Sequence, residues 1–368
     1  MSSGGGQEGQ QVSRVPRNLH LSDKPQAMHA PYPPRFAGVG GRANVGVDVP
    51  ISAVFLFLFV VGAATHMTIF QLNMRKGHKF IMSAMTFGLC MARILTMILR
   101  IVSACYPHDV QIAIAAQIFV SAGVLILFIL NLIFAQRLLR AAHPHFGWHR
   151  GFSIAFQVLY ALVVAMLVMV ITATIQSFYT LNPHTLIVDR DLQRTGGTYF
   201  MFVAFLPIPM VIIGLLVPRK TRLEKFGSGR WRSKIAILLA SATLLTLGAA
   251  FRAGTSFKNP RPISDPAWYH AKWCFYFFNF TMEIIVVYLY ALVRVDRRFH
   301  IPNGSKGPGD YTRQGDERDT EKDDRPNSHD SVYRIMSEEE VFDDVSPGDV
   351  HTAKDEESGQ HSRPVNAS

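Results

Sequence analysis

Residues 110–136, VQIAIAAQIFVSAGVLILFILNLIFAQ, carry no charged side chain along their whole length. At a rise of about 1.5 Å per residue, a helix of this length crosses the roughly 30 Å of hydrocarbon in a bilayer. Six other segments of the chain are apolar enough and long enough to do the same. The seven predicted spans are 49–72, 80–102, 110–136, 152–176, 198–217, 234–251 and 268–293.

This pattern predicts an all-α membrane protein, a seven-transmembrane helix bundle, because backbone groups in lipid must be hydrogen-bonded internally. The two ends of the chain differ in composition. Residues 1–47 are rich in Gly, Gln, Ser and Pro, and residues 301–368 carry 17 acidic and 8 basic side chains. We therefore expect a disordered extracytosolic tail at 1–48, the transmembrane domain at 49–293 and a disordered acidic cytosolic tail at 294–368.

The distribution of Lys and Arg predicts the orientation of the bundle. Sixteen basic residues fall at the ends of helices on one side of the membrane and seven on the other. The richer side is expected in the cytosol, which places the N-terminus outside and the C-terminus inside. Because the positive charge is spread over several loops, it indicates membrane orientation and does not favour a nucleic-acid partner.

A permanent cation, Arg93, interrupts the apolar segment FGLCMARILTMIL at 87–99. A central Arg costs roughly 2.5–3.5 kcal/mol on the insertion scale, so it should face the bundle and find a partner. Glu283 is the one carboxylate that lies inside a predicted span. Helical spacing places Arg93 about 20 Å and Glu283 about 15 Å from the predicted cytosolic ends. We predict that the two side chains pair, either to fix helix register or as part of a ligand- or ion-handling site.

Other polar residues in the spans are candidates for the same interior. Lys272 and Asn279 lie on one face of the seventh span with Glu283. His66 lies in the first span, and Gln117 and Asn131 lie in the third. Each of these is more often a helix-to-helix hydrogen bond than a ligand contact. In the fifth span, Pro207 and Pro209 predict a bend that frees backbone carbonyls.

The sequence offers little of the chemistry that enzymes use. The nearby histidines of HPHFGWH, at 143–149, have no Cys or acidic neighbour to complete a metal site. No phosphate-binding loop, haem-ligand pair or nucleophile motif is present. We therefore expect a protein that is not an enzyme and has no cofactor or metal.

The cytosolic tail and one loop are candidate partner surfaces. In SVYRIMSEEEVFDDVSP, Ser337 precedes three Glu residues and Ser346 precedes a Pro, and both are candidate phosphorylation positions. The basic loop at 218–233 suits either a cytosolic partner or anionic lipid. The alternative for the tail is an ordinary solvated segment.

Three stretches carry a resemblance to a known family: DVPISAVFLFLFVVGAATHMTIFQLNMRKGHKF, MARILTMILR and AQIFVSAGVLILFILNLIFAQRLLRAAHPHFGW. They resemble a family of filamentous-fungal integral membrane proteins of unassigned function, some of which carry receptor-like labels. The likeness covers about residues 45–300. The layout is also distantly similar to that of the fungal RTA-like lipid-translocating exporters.

Three functions follow as expectations. The first is a receptor or sensor of unknown ligand, and the second is a translocator or exporter of lipids or lipophiles. The third is a structural or accessory membrane protein. The expected location is the plasma membrane, with another endomembrane as the alternative.

Overall fold

The structure is a computed structural model of the 368-residue chain and describes residues 30–34, 36–77, 80–218, 223–302, 304–305 and 307–311. Within these residues, seven helices are long and apolar enough to cross a membrane. We refer to them as the first to seventh spans. They comprise Val45–Arg75, Ile81–Cys105, Val110–Ala142, Arg150–Tyr179, Pro183–Leu216, Trp231–Ser256 and Lys272–Leu292.

Several spans are built from more than one helix. The first and second spans are α1 (Val45–Arg75) and α2 (Ile81–Cys105). The third consists of α3 (Val110–Gly123) and α4 (Leu125–Ala142), and a short α5 (Pro144–Gly147) follows. The fourth is α6 (Arg150–Tyr179), the fifth combines α7 (Pro183–Phe205) with α8 (Pro207–Leu216), and the sixth is α9 (Trp231–Ser256). The seventh runs through α10 (Lys272–Tyr276), a π-helical turn (Phe277–Thr281) and α11 (Met282–Leu292), and α12 (Val295–Arg298) follows it.

The helix ends follow local side-chain chemistry. The Asn44 side chain caps α1 by accepting a hydrogen bond from the Gly46 backbone N–H at 2.7 Å. Asn182 caps α7 in the same way, and Pro183 stands at the first helical position, where it has no N–H to leave unpaired. Consequently both helices begin earlier than their apolar runs do.

These starts correct two predicted boundaries. Asp48, expected to precede the first span, lies inside α1 and is fully buried. The predicted loop between the fourth and fifth spans is mostly helix, since α7 begins at Pro183 rather than near residue 198. The sixth span likewise reaches Ser256, which brings Arg252 from a predicted loop into a helix.

Helix packing arranges the spans into one bundle. The first and second spans pack along their length, and the fifth packs against the sixth. The core contains the large side chains of Phe59, Phe128, Phe280 and Leu238. The outward faces of the spans carry exposed Val, Leu, Ile and Phe, which is the composition expected of a surface in contact with lipid.

Two segments outside the spans also fold onto the bundle. We define the N-terminal side as the side on which α1 begins and the C-terminal side as the side on which it ends. On the N-terminal side, residues 36–44 form what we call the N-terminal strap. Its Ala37 N–H donates to the Arg261 carbonyl at 2.9 Å, and its Gly40 N–H donates to the His270 carbonyl at 3.0 Å. This part of the chain was predicted as a disordered tail, and it is instead held by backbone hydrogen bonds.

The start of the predicted cytosolic tail is ordered for a similar reason. On the C-terminal side, Tyr311 is buried against the rings of Trp148 and Phe226, with ring centroids 5.6 and 5.7 Å apart. The Gly309 N–H donates to a Glu224 carboxylate oxygen at 2.8 Å. Aromatic burial and this hydrogen bond hold residues near 311 that composition alone assigned to a disordered region.

Candidate functional site

The structure brings Arg93 and Glu283 together in the centre of the bundle. Arg93 Nε and Nη2 each donate to a different Glu283 carboxylate oxygen at 2.6 Å. Arg93 Nη1 donates to the backbone carbonyls of Phe119 and Val120 at 2.9 and 3.1 Å. The guanidinium also lies 5.3 Å from the centroid of the Phe280 ring. Both charged side chains are almost fully buried, and the paired geometry is the strong, two-bond form of an Arg–carboxylate contact.

An interruption in the third span supplies one of these acceptors. In a regular α-helix the Val124 N–H would donate to the Val120 carbonyl, but here it donates to the Ala122 carbonyl. The Val120 carbonyl is therefore released from the helix and accepts from Arg93 instead. Gly123 makes room for this contact, because a Cβ atom there would lie 2.9 Å from Arg93 Cζ. The guanidinium thus occupies space that any other residue at 123 would fill.

The seventh span is also irregular next to the site. Its π-helical turn at Phe277–Thr281 ends two residues before Glu283, and π-turns inside helices are frequently found at functional sites. Within the turn, Asn279 Nδ2 donates to the Phe275 carbonyl at 2.8 Å. The sixth span approaches closely here, since a Cβ atom on Gly248 would lie 2.7 Å from a backbone carbonyl oxygen in the turn.

A second buried charge cluster, which we call the Asp48 cluster, lies on the N-terminal side. The Asp48 carboxylate accepts from Arg100 Nε and Nη2 at 3.1 and 2.9 Å and from the Tyr276 hydroxyl at 2.8 Å. It also accepts from the Asn44 N–H at 2.8 Å and forms a short contact with the Lys272 ammonium. Two cations and one carboxylate therefore join the first, second and seventh spans at this level.

The Asp48 cluster holds the N-terminal strap in place. Arg100 Nη2 donates to the Gly40 carbonyl at 3.0 Å, and its guanidinium lies 4.7 Å from the centroid of the Phe275 ring. Gly40 has a φ of +83°, and a Cβ atom there would collide with Phe275. Glycine at this position permits both the left-handed backbone and the close approach. The strap is thus tied to the same side chains that neutralise Asp48.

A third polar contact joins the third, sixth and seventh spans. Asn131 Oδ1 accepts from Ser241 Oγ at 3.0 Å and, in a short contact, from the Tyr290 hydroxyl. All three side chains are buried. Asn131 Nδ2 has no partner among the described residues. This arrangement is a hydrogen-bonded brace between helices, of the kind that polar residues form in membrane bundles.

His66 and Asp296 lie near the C-terminal side of the same interior. His66 Nε2 shares a hydrogen bond of 3.0 Å with the Val287 carbonyl, and its Nδ1 has no partner among the described residues. Asp296 accepts from Asn73 Nδ2 at 3.0 Å and from two Arg294 nitrogens at 3.0 and 2.9 Å. Burial alone would raise the pKa of Asp296, but these hydrogen bonds outweigh it and lower the pKa below its usual value.

Two small clefts lie between the helices on the C-terminal side. One, of about 20 Å³, is lined by apolar side chains such as Leu138, Met210 and Ile235. The other, of about 10 Å³, is lined by His66, Asp296 and several apolar groups. A volume of this size holds about one water molecule. In this conformation, neither cleft has room for a lipid or a drug-sized ligand.

The remaining predicted residues lie elsewhere. Gln117 is exposed on α3 and does not line the interior, because the buried face of that helix is narrow. The fifth span is interrupted directly before Pro207, which starts α8, and Pro209 lies in the first turn of that helix. Ser337 and Ser346 lie outside the described residues.

Several buried or half-buried charged groups were not predicted from the sequence. Asp48 and Asp296 were placed in the two tails, and Asp189 and Arg252 were placed in loops. Asp189 is 1% exposed, and its Oδ2 atom has no partner among the described residues. A helix-start signal at Asn182-Pro183 could have placed Asp189 in a helix, and Asn44 could have done the same for Asp48.

Comparison with known proteins gives one family match, which covers part of the chain. Residues 227–300 match the model of a family described as a protein of unknown function, DUF3112. The match includes the sixth and seventh spans, and therefore Glu283, Asn279 and Arg252, but it does not reach Arg93. No curated protein and no solved structure matched the chain.

Proposed function

We propose that this multi-pass membrane protein is a receptor or sensor whose signal changes the contacts around Arg93 and Glu283. The observation that carries the proposal is the position of this ion pair between two irregular helices. Arg93 binds a carbonyl that the interrupted third span releases, and Glu283 lies in the first turn of the helix that follows the π-turn. Switching elements require two arrangements of packed helices, and backbone irregularities supply alternative hydrogen-bond partners at low cost.

The buried ion pair supports a sensor over an open path. Both charged side chains are almost fully enclosed by protein, and neither of the two clefts described above has room for a transported lipid. Movement of the second span relative to the seventh would therefore be the response to a signal, with the C-terminal side reporting it. The basic loop at 218–233 and the acidic tail are the proposed contact surfaces for a cytosolic partner.

The proposed orientation has the N-terminus outside and the tail in the cytosol, with the plasma membrane as the location. The excess of basic residues on the C-terminal side supports it. Asn303 begins the glycosylation acceptor Asn-Gly-Ser and should stay unmodified in this orientation. A glycan on Asn303 in the expressed protein would show that the orientation is the opposite of the one proposed.

Distances between spin labels test the sensor proposal. The exposed positions Ile81 and Leu292 mark the ends of the second and seventh spans that lie on the C-terminal side of the bundle. The labels are attached to cysteines placed at these two positions. Exposed Cys105 is therefore first changed to Ser, while the buried Cys90 and Cys274 are left in place. In nanodiscs, Glu283→Gln should shift or broaden the distance distribution between labels at 81 and 292.

A second label pair provides the control for this measurement. Ile154 and Leu216 are exposed on the fourth and fifth spans, which the Arg93–Glu283 pair does not join. Their distance distribution should not respond to Glu283→Gln. Identical distributions for the 81–292 pair, in folded wild-type and variant protein, would refute control by the ion pair and leave a structural or accessory role.

A translocator of lipids or lipophiles is the second candidate, favoured by the interruptions of the third and fifth spans. Broken helices commonly line transport paths near the middle of the membrane. The resemblance to RTA-like exporters points in the same direction. Saturable flux of fluorescent lipids through reconstituted vesicles, lost in Glu283→Gln, would support this candidate. The absence of flux from folded protein would exclude the translocator as a candidate.

The remaining proposals concern chemistry and lineage. We propose that the protein is not an enzyme and acts without a cofactor, because its buried polar groups are arranged as ion pairs and braces between helices. Membrane lipids are the proposed surroundings, and nucleic acid is not a proposed partner. The resemblance to filamentous-fungal membrane proteins supports a fungal family with receptor-like members.

A further inference from the structure

Arg252 points into the bundle from the sixth span. In α9 the buried residues Leu238, Ser241 and Leu245 recur at helical spacing, and Arg252 follows on the same face, seven residues after Leu245. The opposite face contains exposed Leu247. Arg252 is nevertheless only half-buried. Its side chain therefore starts from the bundle-facing side of α9 and not from the side that carries Leu247.

The charges in this part of the bundle do not balance. Arg252 interacts electrostatically with both Arg93 and Glu283. Both carboxylate oxygens of Glu283 already accept hydrogen bonds of 2.6 Å from Arg93. The three side chains therefore carry one net positive charge. A charge in the interior of a membrane protein is expensive without a partner and usually marks a functional site.

The guanidinium of Arg252 is also poorly satisfied by the protein. Within the described residues it donates one hydrogen bond, from Nη1 to Asn279 Oδ1, at the long distance of 3.5 Å. Its other contact is with the face of the Phe128 ring, 5.9 Å from the centroid. A guanidinium has five N–H donors, so most of its hydrogen-bonding capacity is unused. By comparison, Arg93 uses four donors on protein acceptors.

We propose that Arg252 binds an anionic group, a carboxylate or phosphate, in the space between the third, sixth and seventh spans. The planar fork of a guanidinium matches the two oxygens of either group. The Phe128 ring lies on one side of the guanidinium, and the Asn279 carbonyl oxygen accepts a long hydrogen bond at one of its edges. Gly248, one turn before Arg252, lets the sixth span approach the π-turn closely enough to place this edge.

If the protein is a sensor, as proposed above, this anion site is where it binds its signal. That role rests on the proposed sensing function. An anion bound by Arg252 would lie close to Arg93 as well and would compete with the Glu283 carboxylate for its positive charge. Binding would thereby weaken the attraction between the second and seventh spans at the ion pair. The chemistry defines the class of ligand, an anionic headgroup carried by a soluble molecule or by a lipid.

Binding is tested with the full-length protein in phosphatidylcholine nanodiscs. One series adds sodium phosphate or sodium acetate and uses sodium chloride at equal ionic strength as the reference. A second series adds no phosphate and includes phosphatidic acid in the nanodisc. The thermal unfolding midpoint, followed by tryptophan fluorescence, reports binding, because a ligand of the folded state raises it.

The variants separate binding at Arg252 from a general effect of charge. Arg252→Gln should weaken the apparent affinity by about tenfold or more, the effect of losing a charged hydrogen bond. Arg252→Lys keeps the charge without the fork and should be intermediate. Arg194→Gln is the matched control, since Arg194 is bonded to Asp191 and to the Ser256 carbonyl on the N-terminal side. It should bind as wild type.

The outcomes decide the proposal and the source of the ligand. Stabilisation by phosphate or acetate indicates a soluble anion, and stabilisation by phosphatidic acid alone indicates a lipid headgroup. The proposal is overturned if neither series stabilises the wild type or if Arg252→Gln binds as the wild type does. It also fails if Arg252→Gln destabilises the anion-free protein as much as Arg93→Gln, since Arg252 would then be a structural partner. The spin-label measurement is made without added anion, so the two proposals can fail separately.

Discussion

Removing one member of the Arg93–Glu283 pair should cost more stability than removing both. In Glu283→Gln, the guanidinium of Arg93 keeps its two carbonyl acceptors but loses its counterion in a fully buried position. In Arg93→Gln, the carboxylate of Glu283 loses its counterion, and the Val120 carbonyl that the interrupted helix releases loses its donor as well. The two single variants are therefore not equivalent.

The magnitudes can be worked from these contacts. Breaking a buried ion pair by removing one partner costs about 3–5 kcal/mol. Because unfolded helices stay in the micelle and find other partners there, the lower end of that range is expected for Glu283→Gln. Arg93→Gln should cost about 1–3 kcal/mol more, the price of an unpaired buried carbonyl. Replacing both side chains, in the double variant Arg93→Met with Glu283→Leu, is expected to be neutral or to stabilise the protein by about 1–4 kcal/mol. The unpaired Val120 carbonyl costs about 1–3 kcal/mol in this variant too. The double variant should thus lie within about 3 kcal/mol of the wild type.

The assay is unfolding in mixed micelles, with sodium dodecyl sulfate as the denaturant and the fluorescence of the four tryptophans as the signal. The charge-reversed pair, Arg93→Glu with Glu283→Arg, is included for comparison. It should recover only part of the loss, because a carboxylate at 93 would face the carbonyl oxygens of Phe119 and Val120.

Two results would refute this reasoning. If Glu283→Gln and Arg93→Gln have the same free energy of unfolding as the wild type, the pair contributes nothing to the fold. If the apolar double variant loses as much as the sum of the single variants, the two side chains act independently and are not coupled.

Three further predictions concern other parts of the bundle. Asp48→Asn should release the half-exposed cations around it and raise hydrogen–deuterium exchange in the N-terminal strap, 36–44; unchanged exchange there would show that the strap is held by other contacts. Gly123→Ala should cost about 1–3 kcal/mol by displacing the Arg93 guanidinium, whereas Gly88→Ala, where a Cβ atom meets nothing within 4 Å, should be neutral or slightly stabilising in the same micelle assay. Folding lowers the pKa of Asp296, so its contribution to stability is present above its unfolded pKa and is lost as the pH falls through its folded pKa. Hydrogen–deuterium exchange at 295–299 should therefore rise at acid pH, and Asp296→Asn should remove that pH dependence.

The sequence predicted the spans because length and hydropathy are sufficient to identify them. It also predicted the Arg93–Glu283 pair, since two isolated opposite charges at similar depth have few other partners. The ends of the helices were harder to predict, because polar turns at the ends of α1, α7 and α9 do not resemble membrane segments. Asp48 and Arg252 were therefore not predicted to lie in helices, since each lies just beyond the apolar run of its own span.

The backbone irregularities had no adequate signal in the sequence. The third span contains no proline, and Gly123 alone does not distinguish an interrupted helix from a close packing contact. The π-turn at Phe277–Thr281 has no composition of its own. Both coincide with tertiary contacts, with Arg93 in one case and with the sixth span in the other. They are therefore visible only when the helices are assembled.

The seventh span has a consequence for the biosynthesis of the protein. It supplies the partners of groups in earlier spans: Glu283 for Arg93, Lys272 and Tyr276 for Asp48, and the Val287 carbonyl for His66. Ribosomes make this span last of the seven, so the earlier helices enter the membrane with Arg93 lacking its counterion, His66 lacking its acceptor and Asp48 paired with Arg100 alone of its two cations. A nascent chain that stops before residue 272 exposes an unneutralised arginine to lipid or to the insertion machinery. Completion of the last helix is thus the step at which the cell can distinguish a finished molecule from a fragment.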